Sequence, residues 1–338
     1  MAILHGGQLS RVAKQYQIPE KEWLDLSTGI APFSYPIPDI PLSVWQDLPT
    51  ISASLIDVAK NYYQAKYCWP LSGSQSLIEK LPQLWSEKQP LASHVYLPKV
   101  GYKEHQQAWK TAGYQLHFYQ QTLPANIEQN SVVVVINPNN PLTDIFTIKQ
   151  LSALQKQCHA QNSLLIIDEA FTDVFAPEYS FVAHIKAETT NVIVLRSFGK
   201  FFGLAGLRIG FACCSAEWFE LIKHSTSPWA VNGPALYITE LALNDKKWQT
   251  AQKQRLQKQS QKQQQLINST LPILSIKSNA LFITAFFNNA PAIYQQLCQH
   301  AVYVRLTDEN DALRFGIADE VQLKRLAIVL MQCAKKPL

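Results

Sequence analysis

The chain is predicted to be an α/β protein, with a mainly parallel central sheet flanked by helices and a smaller α+β domain after it. Two observations predict this. Short, continuously apolar runs alternate with helix-like segments through the middle of the chain, and polar residues stand where each run ends. Alternation of that kind belongs to parallel sheets covered on both faces. After about Trp229 the pattern changes to one long polar helix followed by short strands.

His94–Leu97 and Tyr114–Tyr119 read as strands, separated by a helix from Tyr102 to Ala112 that Gly113 ends. Val132–Ile136 is β-branched throughout, as suits a strand buried on both faces. An amphipathic helix over Thr147–Ala160 follows, then the strands Leu164–Ile167 and Val192–Leu195. The Gln- and Lys-rich tract from Lys246 to Gln265 contains no Pro or Gly and reads as a solvated helix with a thin apolar seam. Leu281–Thr284 and Ala312–Phe315 are strand candidates, and Val321–Cys333 a closing helix. The domain reading is an N-terminal arm over 1–40, a large domain over 41–228 and a small one over 229–338.

Composition narrows the function classes. Hydrophobic residues make up 47% of the chain, enough for a sizeable core. The six cysteines lack CxxC spacing, so neither a zinc site nor a disulfide framework is expected, and a reducing compartment is. The start lacks the basic residues and apolar core of a signal peptide, and no stretch reaches about 18 continuous apolar residues. A soluble cytoplasmic protein is the expectation, with no membrane partner. The formal charge of +5 is modest, and no nucleic-acid partner is expected from it.

The chemistry concentrates at strand ends. The strand Val132–Ile136 runs into Asn137-Pro138-Asn139-Asn140-Pro141, Leu164–Ile167 into Asp168-Glu169, and Val192–Leu195 into Arg196-Ser197 and then Lys200. In open α/β sheets ligands collect at the carboxyl ends of strands. Three consecutive strands thus deliver an amide, a carboxylate and a lysine to one edge. A lysine desolvated there is a nucleophile toward carbonyl compounds, the chemistry that pyridoxal phosphate enzymes use. Lys200 is the candidate for the cofactor aldehyde, Asp168 for the pyridine nitrogen and Asn140 for the ring hydroxyl. The cofactor phosphate needs N–H groups, hydroxyls and a cation. Ser74 and Gln75, at the start of the helix-like run Leu77–Trp85, supply the first two, and Ser197 and Arg208 complete the set. Tyr102 is the candidate for stacking on the ring. Each has a blander reading: a surface lysine, a capping aspartate, a turn asparagine, a core tyrosine.

In order and spacing these residues resemble the fold-type I pyridoxal phosphate enzymes, the aspartate aminotransferase superfamily. Within it the chain is similar to the threonine-phosphate decarboxylases of cobalamin biosynthesis, relatives of the histidinol-phosphate aminotransferases. The similarity lies in His5-Gly6-Gly7, Leu24–Pro32, Gly73–Ile78 with Leu81-Pro82, Gly101–His105 with Ala108-Trp109, Pro228–Asn232 and Leu313–Gly316. It implies a cytoplasmic, homodimeric lyase that decarboxylates L-threonine O-3-phosphate, a small phosphorylated amino-acid substrate. The alternative is a histidinol-phosphate-type aminotransferase with the same cofactor contacts. Arg314, a guanidinium on an apolar strand, needs an anion; a nearby carboxylate or the substrate carboxylate would serve, and a bidentate clamp suits the latter. Arg305 is a candidate for a second anion, and His5 and Gly6 for the substrate site. An effector-binding module behind a DNA-binding domain would need an N-terminal extension, for which His5-Gly6-Gly7 leaves no room.

Three departures from the pattern stand out. Asn140-Pro141-Leu142-Thr143 replaces the usual Asn-Pro-Thr-Gly, so the turn is expected to differ. Ala31-Pro32 stands where Asn-Pro is common, removing an amide from the substrate side. Asp47-Leu48-Pro49 lies where relatives place a tyrosine reaching the partner subunit's cofactor, so no such residue is assigned.

Overall fold

The computed structural model describes residues 3, 5–186 and 188–334. Residues 1, 2, 4, 187 and 335–338, which include the start of the expected arm, lie outside the described residues. The chain divides into two compact units. The larger is Tyr35–Lys246; the smaller combines the residues up to Ser34 with those from Lys247 onward. Residues 35–40 and 229–246, read from the sequence as arm and small domain, therefore fall within the larger unit.

The larger unit is built on a seven-stranded sheet. Its strands are β1 (Cys68–Leu71), β2 (His94–Pro98), β3 (Gln115–Tyr119), β4 (Val132–Ile136), β5 (Leu164–Asp168), β6 (Val192–Ser197) and β7 (Gly210–Cys214). Their order is β1-β7-β6-β5-β4-β2-β3. All neighbours from β6 to β3 pair in parallel, whereas β7 runs antiparallel to both β6 and β1. Every residue of β4 and β5 is buried, as their unbroken apolar sequences require. The sheet is thus mainly parallel, with one reversed strand that the sequence reading did not contain. It also omitted β1, which Pro70 argues against in a central position; β1 is an edge strand, where proline is tolerated.

The helices follow their local signals. α1 (Ser74–Lys88) starts directly after Gly73, which holds φ at +78°. α2 (Lys103–Thr111) has Tyr102 as its N-cap residue, and Gly113 turns the chain beyond it at φ +84°. α3 (Ile148–Ala160) opens on a capping box: the Gln150 N–H donates to Thr147 Oγ1, and the Thr147 N–H donates to Gln150 Oε1. Leu77, Leu81 and Trp85 of α1 and Trp109 of α2 pack against Val95, Val132, Leu164 and Ile193 of the sheet.

The smaller unit carries a four-stranded antiparallel sheet of β8 (Ser275–Ser278), β9 (Phe282–Phe286), β10 (Arg305–Leu306) and β11 (Ala312–Gly316), in the order β10-β11-β9-β8. α4 (Lys246–Thr270) and α5 (Glu320–Ala334) belong with it. Ile283, Leu313, Phe315, Leu326 and Leu330 form its core with Ile267 of α4. The buried seam of α4 is mostly polar. It consists of Gln252, Leu256, Gln259, Ser260, Gln263 and Ile267. Gln263 Nε2 donates to the Gly316 carbonyl (2.8 Å), and its Oε1 accepts from the Ala318 N–H (2.7 Å). Gln259 Nε2 donates to the Ala318 carbonyl and Ser260 Oγ to the Asn279 carbonyl. The amides replace apolar packing because this helix lies against loop carbonyls that need donors.

Candidate active site

Parallel pairing brings the ends of β4, β5 and β6 to one edge: Ile136 is level with Asp168, and Asp168 with Leu195. The strand ends therefore set Asn137 onward, Asp168 and Arg196-Ser197 side by side. Asp168 is buried. Its Oδ2 lies 2.9 Å from His105 Nε2, and its Oδ1 accepts from the Ala170 N–H at 3.0 Å. His105 is a partner the sequence reading overlooked. It projects from the first turn of α2, three residues after Tyr102, and that spacing on one helix face was the available signal.

A second buried cluster lies just beyond, where β5 and β6 end. Arg196 Nη1 donates to Glu169 Oε2 (2.5 Å), and Nη2 donates to Asp173 Oδ1. Glu169 also accepts from Ser180 Oγ (2.6 Å) and from the Phe181 N–H (2.7 Å). Burial and then Arg196 act on Glu169 in opposite senses, and its pKa stays raised. Burial alone would lower Arg196, but Asp173 and Glu169 outweigh it and hold the guanidinium charged. This cluster binds the residue after Asp168 to the residue before Ser197, so it braces both.

The phosphate candidates also converge. A Cβ on Gly73 would stand 3.0 Å from Arg208 Nη2 and one on Gly210 2.9 Å from the Ser74 N, so glycines permit this close approach. Ser197 is level with Gly210. The N-terminus of α1, Ser74, Ser197 and Arg208 therefore surround one place on the sheet edge. Gln75 takes a different set of contacts: its Nε2 donates to Glu79 (2.8 Å) and Glu104 (3.0 Å), and its Oε1 accepts from the Tyr102 hydroxyl (3.1 Å). Burial, then the carboxylates of Glu104 and Asp168, push the Tyr102 phenol above its usual pKa, so it remains a donor.

Lys200 lies in the short helix Phe198–Phe201 that follows β6, with its Nζ 5.8 Å from the centroid of the Phe171 ring. Asn140 is half-buried in the loop after β4, which is held by Asn137 and Asn139: the Phe146 N–H donates to Asn137 Oδ1, and Asn139 Nδ2 donates to the Val100 carbonyl. The Asn139–Thr143 turn is closed by its own side chains and backbone. The Leu142 N–H donates to Asn139 Oδ1, and Thr143 takes a left-handed conformation at φ +64°.

His5, Gly6, Arg305 and Arg314 belong to the smaller unit. Arg305 and Arg314 stand directly opposite each other on β10 and β11. Arg305 is paired with Asp308 (2.8 Å), while Arg314 Nη2 donates to the Ser27 carbonyl (2.6 Å) and its guanidinium lies over the Phe282 ring. Burial, followed by the Arg305 charge, pushes Arg314 down to about 10. Like charges facing each other across strands are destabilising, so an anion would stabilise this pair.

Fold and site define a pyridoxal-phosphate-type architecture of the aminotransferase kind, and the comparisons agree. Residues 47–330 match the family model for aminotransferase class I and II, and the chain belongs to that family. Over 97% of its length it is 35% identical to a threonine-phosphate decarboxylase of Pseudomonas aeruginosa, covering 97% of that protein. Its fold is similar to that of L-threonine-O-3-phosphate decarboxylase from Porphyromonas gingivalis, with a TM-score of 0.73 and 16% identity over 92% of this chain and 99% of that one. It is also similar to histidinol-phosphate aminotransferase from Sinorhizobium meliloti in complex with pyridoxal-5'-phosphate, with a TM-score of 0.79 and 16% identity over 99% of this chain and 96% of that one. No described helix is long and apolar enough to cross a membrane.

Proposed function

We propose that this chain is a pyridoxal phosphate-dependent lyase that decarboxylates L-threonine O-3-phosphate to (R)-1-amino-2-propanol O-2-phosphate in cobalamin synthesis. The observation that carries the substrate is the 35% identity to a threonine-phosphate decarboxylase across 97% of both chains. The cofactor reading rests on fit. Asp168 is a buried carboxylate held by two hydrogen bonds, suited to a protonated ring nitrogen. The α1 N-terminus with Ser74, Ser197 and Arg208 suits a phosphate. Lys200 supplies the amine for the aldehyde, Asn140 the donor for the ring hydroxyl and Tyr102 a ring face.

When bound, the cofactor supplies a sink for the electron pair left on the α-carbon as carbon dioxide departs. The residues do the rest. Asp168 retains the proton on the ring nitrogen, and His105 holds that carboxylate in place. Arg314 anchors the substrate carboxylate, while Arg305, His5 and the backbone beside it take its phosphate. Lys200 returns a proton to the α-carbon.

The protein also functions in this reading as a homodimer. Ile37, Leu42, Trp45 and Leu48 are each at least 60% exposed within one stretch of the larger unit. The stretch is held in place, because Gly233 approaches the Val44 carbonyl so closely that a Cβ there would stand 2.3 Å from it. A fixed apolar patch of this kind suits a subunit interface.

Purified holoenzyme given L-threonine O-3-phosphate alone should release carbon dioxide. A strict requirement for a 2-oxo acid acceptor would instead assign the aminotransferase reaction.

A further inference from the structure

The arm residues and Arg314 are joined through one buried residue, by its side chain on one hand and its carbonyl on the other, that no part of the mechanism uses. Ser27 is fully buried, and all its polar groups are engaged. Its N–H and its Oγ–H both donate to Asp25 Oδ1, at 2.8 and 2.6 Å. Its Oγ accepts from the Gly7 N–H at 2.7 Å, and its carbonyl accepts from Arg314 Nη2 at 2.6 Å. One residue thus ties together the N-terminal arm, the strand Leu24–Asp25 and β11.

The surrounding backbone leaves little latitude. A Cβ on Gly6 would stand 2.2 Å from the Ser27 carbonyl oxygen, and one on Gly316 2.2 Å from the Thr28 carbonyl oxygen. Gly7 holds φ at +75°. Both glycines beside His5 are therefore explained by the need to lay the arm against Ser27. The Gly316 N–H donates to the Leu26 carbonyl at 2.6 Å, which fixes the same stretch to the end of the Arg314 strand.

We infer that Ser27, oriented by Asp25, is a positioning residue for substrate: it sets where the His5–Gly7 backbone stands relative to the Arg314 guanidinium. The inference rests on the proposal that the arm and Arg314 hold the substrate. It adds that their spacing is governed by a hydroxyl touching neither the cofactor nor the substrate. Misplacing binding groups by about 1 Å can cost on the order of 100-fold. The loss should appear in KM, because the residues of the cofactor site lie in the other unit.

The test uses holoenzyme. Ser27→Ala and Asp25→Ala should each raise KM for L-threonine O-3-phosphate at least tenfold, leave kcat within about threefold and leave the cofactor absorbance unchanged. Asp25→Asn keeps an acceptor oxygen and should stay within about twofold of the parent. His5→Ala combined with Ser27→Ala should be no worse than the more impaired single variant, since both act through the arm. Hydrogen exchange over residues 5–16 should quicken in Ser27→Ala and Asp25→Ala but not in Asp25→Asn. Unchanged KM in the two alanine variants, or additive losses with His5→Ala, would overturn the inference. Parent enzyme that fails to turn over threonine phosphate would instead remove the functional proposal. In that case the exchange data alone decide whether Ser27 holds the arm, and unchanged exchange sinks it.

Discussion

Thr143 holds a left-handed conformation at φ +64°, which costs an L-residue roughly 1–2 kcal/mol. Family members commonly place glycine there. Thr143→Gly should raise stability by about 1 kcal/mol after allowing for the greater freedom of unfolded glycine, visible as a higher urea midpoint at unchanged slope. Arg314 serves stability and function together. Its Nη2 satisfies the buried Ser27 carbonyl, so Arg314→Met should lower stability by about 1–3 kcal/mol, while KM for threonine phosphate rises at least tenfold. Thermal melts and initial rates on the same preparation check both halves. Asp168 and Lys200 were legible in the sequence because each follows a continuous apolar run. His105 was not: its spacing from Tyr102 sets both on one helix face but does not say which carboxylate that face meets. Ser27 was hidden for another reason: one of its two linking groups is a main-chain carbonyl, which no side-chain pattern reveals.

At the scale of elements, apolar runs and helical periodicity located β2 to β6 and the helices α2 and α3 to within a residue or two. It failed where a different physics governs burial. The α4 seam looked solvated because glutamine is ordinarily exposed, yet Gln252, Gln259 and Gln263 are buried by hydrogen bonds to loop backbone. Gln263→Leu would preserve volume but orphan the Ala318 N–H and the Gly316 carbonyl. Leaving two buried groups unpaired should cost about 2–4 kcal/mol. Urea unfolding of Gln263→Leu beside Gln263→Glu, which retains an acceptor, measures the loss. Strand β1 escaped detection because Pro70 interrupts it, and only its edge position makes that residue acceptable.

For the whole molecule, alternation of strands and helices was enough to predict a mainly parallel sheet and a smaller second unit. The unit boundary at Lys246 was not legible, because the helix Gly233–Asn244 is joined to α4 by Asp245 alone and declares its allegiance only by packing on Ala53–Tyr63. The proposed dimer gives a prediction at this scale. Trp45→Glu with Leu42→Asp should sediment as one chain where the parent sediments as two, since charges buried in an apolar interface are costly. The reversal of β7 has its own consequence. Parallel strands contribute only their exits to a ligand edge, so each adds residues from a single kind of terminus. A strand entering from that edge contributes its entrance as well. Arg208 and Gly210 stand beside Ser197 for this reason. Run the other way, β7 would present Cys214 and Ser215 there, and the edge would lose its phosphate-seeking cation without any change in composition.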